Sequence, residues 1–343
     1  MNLLTLKNNK KNNFRIAIFL GLLLIVFLES NKPEDDNSSS GSFINSRGLI
    51  AINNVQNVEN YKYRLNNRKT RSINEVALKD LNYHFIEEVV FLEKNELPQG
   101  LCITEDYIII SSYYESDKKL GKLKVYSKEN GNHLISLGVD GKSHLGGITF
   151  DGKYIWICNS DKMTLERISY EIVKELIVEH RGKTIDVREH VDMYHVNNRP
   201  SSVTYYNGLL YVTSHTIMNS GKMIGYIYDD KIDNLEEVVC LEVPPKVQGV
   251  AFTEQGEVVL SVSYGRIRSS YVKVYQSLQM MNRDINNYQK CIELPPCSEG
   301  IFYCDDKIYI LFESAATKYF EGTDGRGKSN SPIDKILVIE KMK

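Results

Sequence analysis

Polar and aromatic side chains recur at both ends of five similar apolar segments of this 343-residue chain. The residues just before the segments are Gln99, His144, Arg199, Gln248 and Glu299. The residues just after them are Tyr113, Asp161, His215, Tyr264, Arg266 and Glu313. If the five segments are equivalent parts of one repeated fold, these side chains converge on one face. Polar groups that converge on a concave surface predict a ligand site.

Two glutamates in this set have the chemistry of a general acid and a general base. Glu299 and Glu313 form a catalytic pair if their surroundings push their pKa values apart, whereas a purely structural network is the alternative. Arg199 and Arg266 would neutralise these carboxyls or hold a carboxylate ligand through two parallel N–H bonds. The predicted ligand-binding residues are Gln99, Tyr113, His144, Arg199, His215, Gln248, Tyr264 and Arg266.

The histidines raise the question of a metal ion. His144 and His215 could share a site, but the chain has no closely spaced ligand motif and no Cys-x-x-Cys pair. Such spacing is typical of structural zinc sites. We therefore predict no cofactor and no metal site, and we keep a divalent ion held among these side chains as the alternative.

The segments themselves share one pattern. Each has a small residue, a short alternating strand, a tight turn with Asp, Asn or Gly, and a second apolar strand, which predicts a β-hairpin. The small residues recur about every 50 positions, at Gly100, Gly147, Ser202, Gly249 and Gly300. Third strands are predicted at residues 122–127, 164–170, 223–229, 271–276 and 334–340. Fourth strands are predicted at residues 133–138 and 236–243.

Four strands in a period of about 50 residues are typical of a β-propeller blade, and five periods predict five blades. The last blade ends after its third strand, so residues 87–93 are predicted to supply the fourth and to close the ring. We predict an all-β, five-bladed β-propeller over residues 86–343, closed by an N-terminal strand. A six-bladed ring that uses residues 47–97 is the alternative, although this region lacks a sixth copy of the repeat.

The amino-terminal segments predict an extracytoplasmic location. Residues 1–15 are a basic flank, residues 16–28 are uninterrupted apolar, and residues 29–46 are a polar, flexible tether. This order is typical of an export signal whose basic flank stays in the cytoplasm. The apolar run is short for a membrane span, yet no small-x-small cleavage site follows it. An uncleaved signal-anchor helix and a cleaved signal with a secreted product both remain open, and residues 47–85 are predicted to be an irregular or helical cap.

The composition of the chain and the sequence of one loop argue against two classes of partner, nucleic acids and nucleotides. The chain has 42 basic and 44 acidic side chains, a net charge of −2, which argues against nucleic acid. Residues 322–329 (GTDGRGKS) match a phosphate-binding pattern but lack the strand before and the helix after that this mechanism needs. They lie in a long polar loop, residues 313–334, where Tyr319 and Phe320 are predicted to fold over the central channel. A bridge between Cys291 and Cys297 is left open.

The repeats resemble those of the β-propeller superfamily with NHL-type or YncE-like blades. Residues 98–126 (PQGLCITEDYIIISSYYESDKKLGKLKVY) also resemble the opening blade of five-bladed glutamine cyclotransferases, which have a similar Gln-Gly-Leu start. This resemblance covers one blade and implies the fold. Ser111 and Ser112 stand where those enzymes have an acidic residue, and Trp156 is the only tryptophan. The resemblance therefore does not extend to the catalytic residues of that family.

Three functions follow as hypotheses. The preferred one is an extracytoplasmic, membrane-tethered propeller that binds a small-molecule, peptide or glycan ligand at the polar ring, because anchor, tether and convergent side chains occur together. The second is a hydrolase, lyase or cyclotransferase-like enzyme that uses Glu299 or Glu313. The third is a protein-interaction scaffold whose channel is inert.

Overall fold

The computed structural model describes residues 74–87, 90, 92–115 and 119–340, which form five sheets. The inner strands of consecutive sheets contact one another in a closed cycle, in which the fifth contacts the first. The predicted five-bladed β-propeller is thereby confirmed. The predicted signal or anchor segment, residues 16–28, lies outside the described residues together with its flank and tether. Within the described part, every helix is too short or too polar to cross a membrane.

The strands follow the predicted repeat order. Two short strands come first: β1 (Asn74–Ala77) and β2 (Tyr83–Ile86). Blade 1 contains β3 (Glu96–Ile103), β4 (Tyr107–Tyr114), β5 (Gly121–Ser127) and β6 (His133–Val139). Blade 2 begins with β7 (Ile148–Phe150), β8 (Tyr154–Asn159) and β9 (Thr164–Ser169). Then come helix α1 (Tyr170–His180), β10 (Thr184–Asp186) and β11 (Asp192–His195).

The remaining three blades complete the ring. Blade 3 contains β12 (Ser202–Tyr206), β13 (Leu209–Thr213), β14 (Gly221–Asp229) and β15 (Asn234–Val243). Blade 4 contains β16 (Val247–Phe252), β17 (Val258–Val262), β18 (Ser270–Tyr275), helix α2 (Leu278–Arg283) and β19 (Lys290–Leu294). Blade 5 contains β20 (Ser298–Cys304), β21 (Lys307–Phe312), helix α3 (Thr317–Phe320) and β22 (Ile336–Glu340). Short 3-10 turns lie at Leu78–Asp80, Arg188–His190 and Glu313–Ala315.

The ring is closed by β2, which pairs antiparallel with β22 as the outer strand of blade 5. The sequence analysis predicted this closing strand at residues 87–93. In the structure the closing strand is β2, which ends at Ile86, just before that segment. Phe85 packs on the core of blades 4 and 5, while Val90 and Leu92 pack on the core between blades 5 and 1. The apolar residues of the predicted strand therefore cover the seam between two blades instead of extending a sheet.

Two blades gain a fifth strand that the repeat did not predict. β1 pairs parallel with β19 at the edge of blade 4, and β10 pairs parallel with β6 at the edge of blade 1. Over residues 74–85, the described part of the predicted cap, the structure has two strands and a 3-10 turn. These additions cover sheet edges that would otherwise offer unpaired backbone groups.

The five small residues of the repeat meet at the ring axis. A Cβ atom on Gly147 would lie 2.4 Å from the backbone nitrogen of Val203, and one on Gly300 would lie 2.7 Å from that of Leu101. Glycine is required at both positions because a neighbouring backbone occupies the space of a side chain. The cavity left at this waist is about 10 Å³, which is about the room that one water needs. A ligand larger than water therefore cannot pass through the ring at this waist.

Candidate functional site

The predicted site residues lie around one mouth of the ring because each inner hairpin begins and ends there. Leu97 on β3 is paired with Tyr113 on β4, and Ser298 on β20 is paired with Phe312 on β21. Residues before the first strand and after the second strand therefore share one end of each blade. The structure divides them into a buried half on blades 5 and 1 and an exposed half on blades 2 to 4.

The buried half contains the two glutamates, here called the carboxyl pair. Glu299 is only 6% exposed, and its Oε1 accepts one hydrogen bond, 3.1 Å long, from Nε2 of Gln248. Oε1 of Glu313 accepts a hydrogen bond of 3.0 Å from Nε2 of Gln99. The hydroxyl of Tyr319 also bonds Glu313. The structure thus brings together four predicted site residues and the predicted loop residue Tyr319.

Burial controls the ionisation of the carboxyl pair. Loss of water raises the pKa of Glu299 well above its usual range, and the charge of Glu313 raises it further. Burial also raises the pKa of Glu313, while Lys318, Tyr319 and Gln99 oppose this rise. Because no cation contacts Glu299 directly among the described residues, the protonated form of Glu299 is favoured. A protonated carboxyl offers one donor and one acceptor, which suits hydrogen bonding to a neutral polar group.

Residues 313–334, here called the lid, fold over the carboxyl pair. Tyr319 packs against Leu97, Tyr113 and Ala316, and its ring lies under the guanidinium of Arg266 at 4.7 Å. This position of Tyr319 matches the prediction that it folds over the channel. The GTDGRGKS pattern within the lid is followed by extended residues and β22, so the helix of a phosphate-binding loop is absent there.

Arg266 fastens the lid and is not free to bind a ligand. Its NH1 and NH2 groups donate to the two carboxylate oxygens of Asp324 at 2.9 and 2.6 Å. NH1 also donates to the carbonyl oxygen of Gly327 at 2.7 Å. The carboxylate of Asp324 occupies the guanidinium fork that a carboxylate ligand was predicted to take.

Lys318 is a functional residue that the repeat pattern did not reveal. Its Nζ atom lies 2.6 Å from Oε1 of Glu115, at the end of the inner hairpin of blade 1. Its charge lowers the pKa of both members of the carboxyl pair. Lys318 lies in the lid, outside every copy of the repeat, so the only available signal was its closeness in sequence to Tyr319.

The exposed half of the mouth contains the basic residues. His144 contacts Tyr113 in a tilted arrangement with ring centroids 4.6 Å apart, and Nδ1 of His215 lies 3.2 Å from the carbonyl oxygen of Val247. Arg199 is exposed, whereas Tyr264 is 43% exposed and lies below Nζ of Lys246 at 5.4 Å. These groups face solvent and leave this side of the mouth accessible.

Neither a metal-ligand cluster nor a disulfide occurs in the described residues. They contain no group of three or more His, Cys, Asp and Glu side chains that could hold a metal ion. All six cysteines are free, and Cys291 is not bridged to Cys297. The thiol of Cys297 instead lies 3.8 Å from Oγ of Ser329, beneath the lid. Burial raises the pKa of this thiol to about 12, so Cys297 stays protonated.

Comparisons with known proteins found similar solved structures at low TM-scores. No family model and no curated protein matches the chain. A PQQ-bound aldose sugar dehydrogenase from Streptomyces coelicolor is similar in structure, with a TM-score of 0.46, 12% identity and coverage of 76% of this chain and 98% of the other. A hydrazine synthase chain from Kuenenia stuttgartiensis has a TM-score of 0.38, 10% identity and coverage of 66% and 58%. A chain of a nidogen/laminin complex has a TM-score of 0.37, 11% identity and coverage of 64% and 73%.

At these TM-scores and identities, the three structures support no statement about the function of this chain. The chain spans 58% of the length of the hydrazine synthase chain, less than two thirds. The fold follows from the strand pairing of this chain itself.

Proposed function

We propose that this protein is an extracytoplasmic, membrane-tethered β-propeller that binds a small-molecule, peptide or glycan ligand at the mouth of its ring. The observation that carries the proposal is Glu299, a buried carboxyl that has one amide donor and no contacting cation within the described part of the chain. Burying an ionisable group without a partner costs free energy. Side chains kept in such surroundings within a concave site are typical of functional positions.

The remaining mouth residues support a binding role. Gln99 and Gln248 hold the two carboxyls from adjacent blades, and Tyr113 supplies an aromatic surface beside His144. The closed waist lies below them. A ligand would therefore meet fixed hydrogen-bonding groups in a shallow, one-sided site rather than in a through channel.

The binding role can be tested with three probes that differ in polar chemistry. Maltose, N-acetylglycinamide and N-acetylglycine present hydroxyls, a neutral amide and a carboxylate, respectively. Each is titrated into the full-length chain in detergent micelles while NMR signals of the His144 and His215 rings are followed. We expect at least one probe to shift these signals in the wild type and to bind more weakly to Glu299→Leu. If all three probes leave the mouth unperturbed at millimolar concentration, the binding role is contradicted.

The location rests on residues 1–46 of the sequence and can be tested separately. Cys240 is the exposed cysteine of the propeller, whereas the others are buried or partly buried. A maleimide that does not cross membranes should label Cys240 in intact cells, and Cys240→Ser should remove this labelling. Labelling that requires cell lysis would contradict an extracytoplasmic propeller.

A second candidate is an enzyme that uses the carboxyl pair for acid–base chemistry, as a hydrolase, lyase or cyclotransferase-like protein. The raised pKa values of Glu299 and Glu313 favour it, because a carboxyl whose pKa is shifted upward toward neutral pH is suited to donate a proton. The test is turnover of lactones, glycans and peptides with amino-terminal glutamine. Turnover lost in Glu299→Gln or Glu313→Gln would support this candidate, and absence of any turnover that depends on either glutamate would remove it.

A further inference from the structure

The basic residues of the mouth come from consecutive blades and face the open side. His144 precedes the inner strand of blade 2, Arg199 precedes that of blade 3, and His215 follows the inner hairpin of blade 3. The inner strands of blades 2 and 3 contact each other, and the backbone N–H of His215 donates to Oγ of Ser201, two residues after Arg199, at 2.9 Å. The three side chains therefore lie on the same part of the mouth. The carboxyl pair occupies the opposite side, on blade 5. The mouth therefore has a basic side and a side that presents protonated or amide groups.

Arg199 differs from Arg188 and Arg266 because its guanidinium has no partner among the described residues. Among the described residues it has no hydrogen bond and no ion pair, although it is exposed next to two histidines. Arg266, on the next blade, has its guanidinium filled by Asp324, and Arg188 is held by Asp186. A guanidinium is a planar fork with five donors that matches a carboxylate. Arg199 keeps this fork available at the mouth.

The two histidines are already oriented by the fold. The carbonyl oxygen of Val247 accepts from Nδ1–H of His215, so that Nε2 of His215 is left to receive a ligand proton or, once protonated, to donate one. The ring of His144 packs against that of Tyr113 at an interplanar angle of 50°. Removal of water from this imidazole lowers the pKa of His144, and the charges of Arg199 and Lys318 lower it further. An anion bound here would relieve the repulsion between these cations.

We propose that the basic side of the mouth, formed by Arg199, His144 and His215, binds the carboxylate group of the ligand. This inference rests on the proposed binding function and narrows its ligand class. The carboxylate would take the fork of Arg199, while a neutral amide or hydroxyl elsewhere on the same molecule would meet the half-buried amide of Gln248. The ligand class is thus a small carboxylic acid, or a peptide carboxyl terminus, with a neutral polar group.

The surroundings favour a carboxylate over a phosphate. Arg199 is the one side chain of this set that is always charged, and burial and neighbouring cations lower the pKa of His144. Glu115 and the carboxyl pair lie on the other side of the same mouth, and Glu115 acts on His144 as well. A group with close to two negative charges would be repelled by these acids more strongly than a group with one.

The test uses matched probes and a matched arginine. N-acetylglycine, N-acetylglycinamide and methyl phosphate are titrated into the full-length chain in detergent micelles, for the wild type, Arg199→Gln and Arg181→Gln. Arg181 follows helix α1, is exposed, and lies outside the mouth. We expect N-acetylglycine to bind the wild type at least about tenfold more tightly than N-acetylglycinamide, a difference typical of a charge-assisted hydrogen bond. Arg199→Gln should abolish this difference, and Arg181→Gln should preserve it.

The outcomes separate this inference from the binding function. If N-acetylglycinamide or methyl phosphate binds the mouth as well as N-acetylglycine, the carboxylate inference is overturned while the binding function stands. If N-acetylglycine binds equally well to Arg199→Gln, the assigned residue is wrong. If none of the probes shifts the signals of His144 and His215, both proposals fail.

Discussion

Two buried glutamates on neighbouring blades of this propeller differ in their partners. Glu96, at the start of β3, is 0% exposed, and its Oε2 lies 2.7 Å from Nζ of Lys124. It also accepts hydrogen bonds from Ser112 and from the backbone of Glu93. Among the described residues, the side chain of Glu299 accepts one hydrogen bond, from the amide of Gln248. Blade 1 therefore supplies Glu96 with a cation and further donors, whereas Glu299 at the mouth has a single amide donor.

This difference separates a stabilising site from a functional one. A buried charge that has a cation and several donors can be tolerated, and breaking such a pair is strongly destabilising. A buried carboxyl that lacks a cation shifts its pKa and becomes neutral. Lys124 pairs with the buried carboxylate of Glu96, whereas no lysine of the described residues contacts Glu299.

The largest expected effect is on the paired glutamate. Glu96→Gln removes the charge that faces the buried Nζ of Lys124, so the free energy of unfolding should fall by about 3–5 kcal/mol. Glu299→Gln, which keeps the shape and hydrogen-bonding capacity of a protonated carboxyl, should leave stability near pH 7 unchanged or raised. Urea unfolding of both variants measures this. A larger loss for Glu299→Gln than for Glu96→Gln would reverse the comparison.

The next effect is the pH dependence of stability. The folded pKa of Glu299 lies above the ordinary value of 4.5, so its protonated form stabilises the folded state fully below about pH 4.5. This contribution is lost as pH rises through the folded pKa. The loss is at most about 1.4 kcal/mol per pH unit for one carboxyl. The stability of Glu299→Gln should fall less steeply above pH 5 than that of the wild type, and parallel curves would contradict the raised pKa.

A smaller effect is expected from releasing the lid. Arg266→Gln removes the two hydrogen bonds to Asp324 and should speed hydrogen exchange at the amides of Ser329 and Asn330, on the order of tenfold. The lid would admit water, and the pKa of Glu299 should move down toward its ordinary range. Arg326→Gln, an exposed arginine of the same loop, is the control. Unchanged exchange in Arg266→Gln would show that the lid is held by other contacts.

The smallest effect concerns Lys318. Its charge lowers the pKa of both Glu299 and Glu313, so Lys318→Gln should raise both pKa values further. Burial is the larger cause, and this shift should therefore be less than that produced by opening the lid with Arg266→Gln. Carboxyl 13C NMR titration of the full-length chain resolves the order, and a downward shift in Lys318→Gln would contradict it.

The sequence predicted the ring because its close approaches demand small residues at regular intervals. Gly100, Gly147 and Gly300 touch neighbouring backbones, so the repeat in small residues follows directly from the geometry of the axis. The parallel pairing of β1 with β19 joins segments more than 200 residues apart, and nothing local encodes it. Helix α1 buries Tyr170, Val173 and Ile177 on one face, a spacing that the hairpin pattern overshadowed.

The candidate site was predictable only where it follows the repeat. Gln99, Gln248 and Glu299 occupy equivalent positions in three blades and converge as expected. The role of Arg266 could not be predicted because its partner Asp324 lies 58 residues away, in a loop without periodicity. The pairing of Glu96 with Lys124 depends on the register between strands, which the composition of each strand does not specify.

The central claim is that burial raises the pKa of Glu299 and favours its protonated form, whereas Glu96 is held in an ion pair with Lys124. Infrared difference spectra of the full-length chain at pH 7 test it directly, with Glu299→Gln and Glu96→Gln each compared with the wild type. Glu166, a second buried acid with a raised pKa, is identified separately with Glu166→Gln. The account predicts that Glu299→Gln removes a protonated carboxyl band and Glu96→Gln removes a carboxylate band. Loss of a carboxylate band in Glu299→Gln would contradict it.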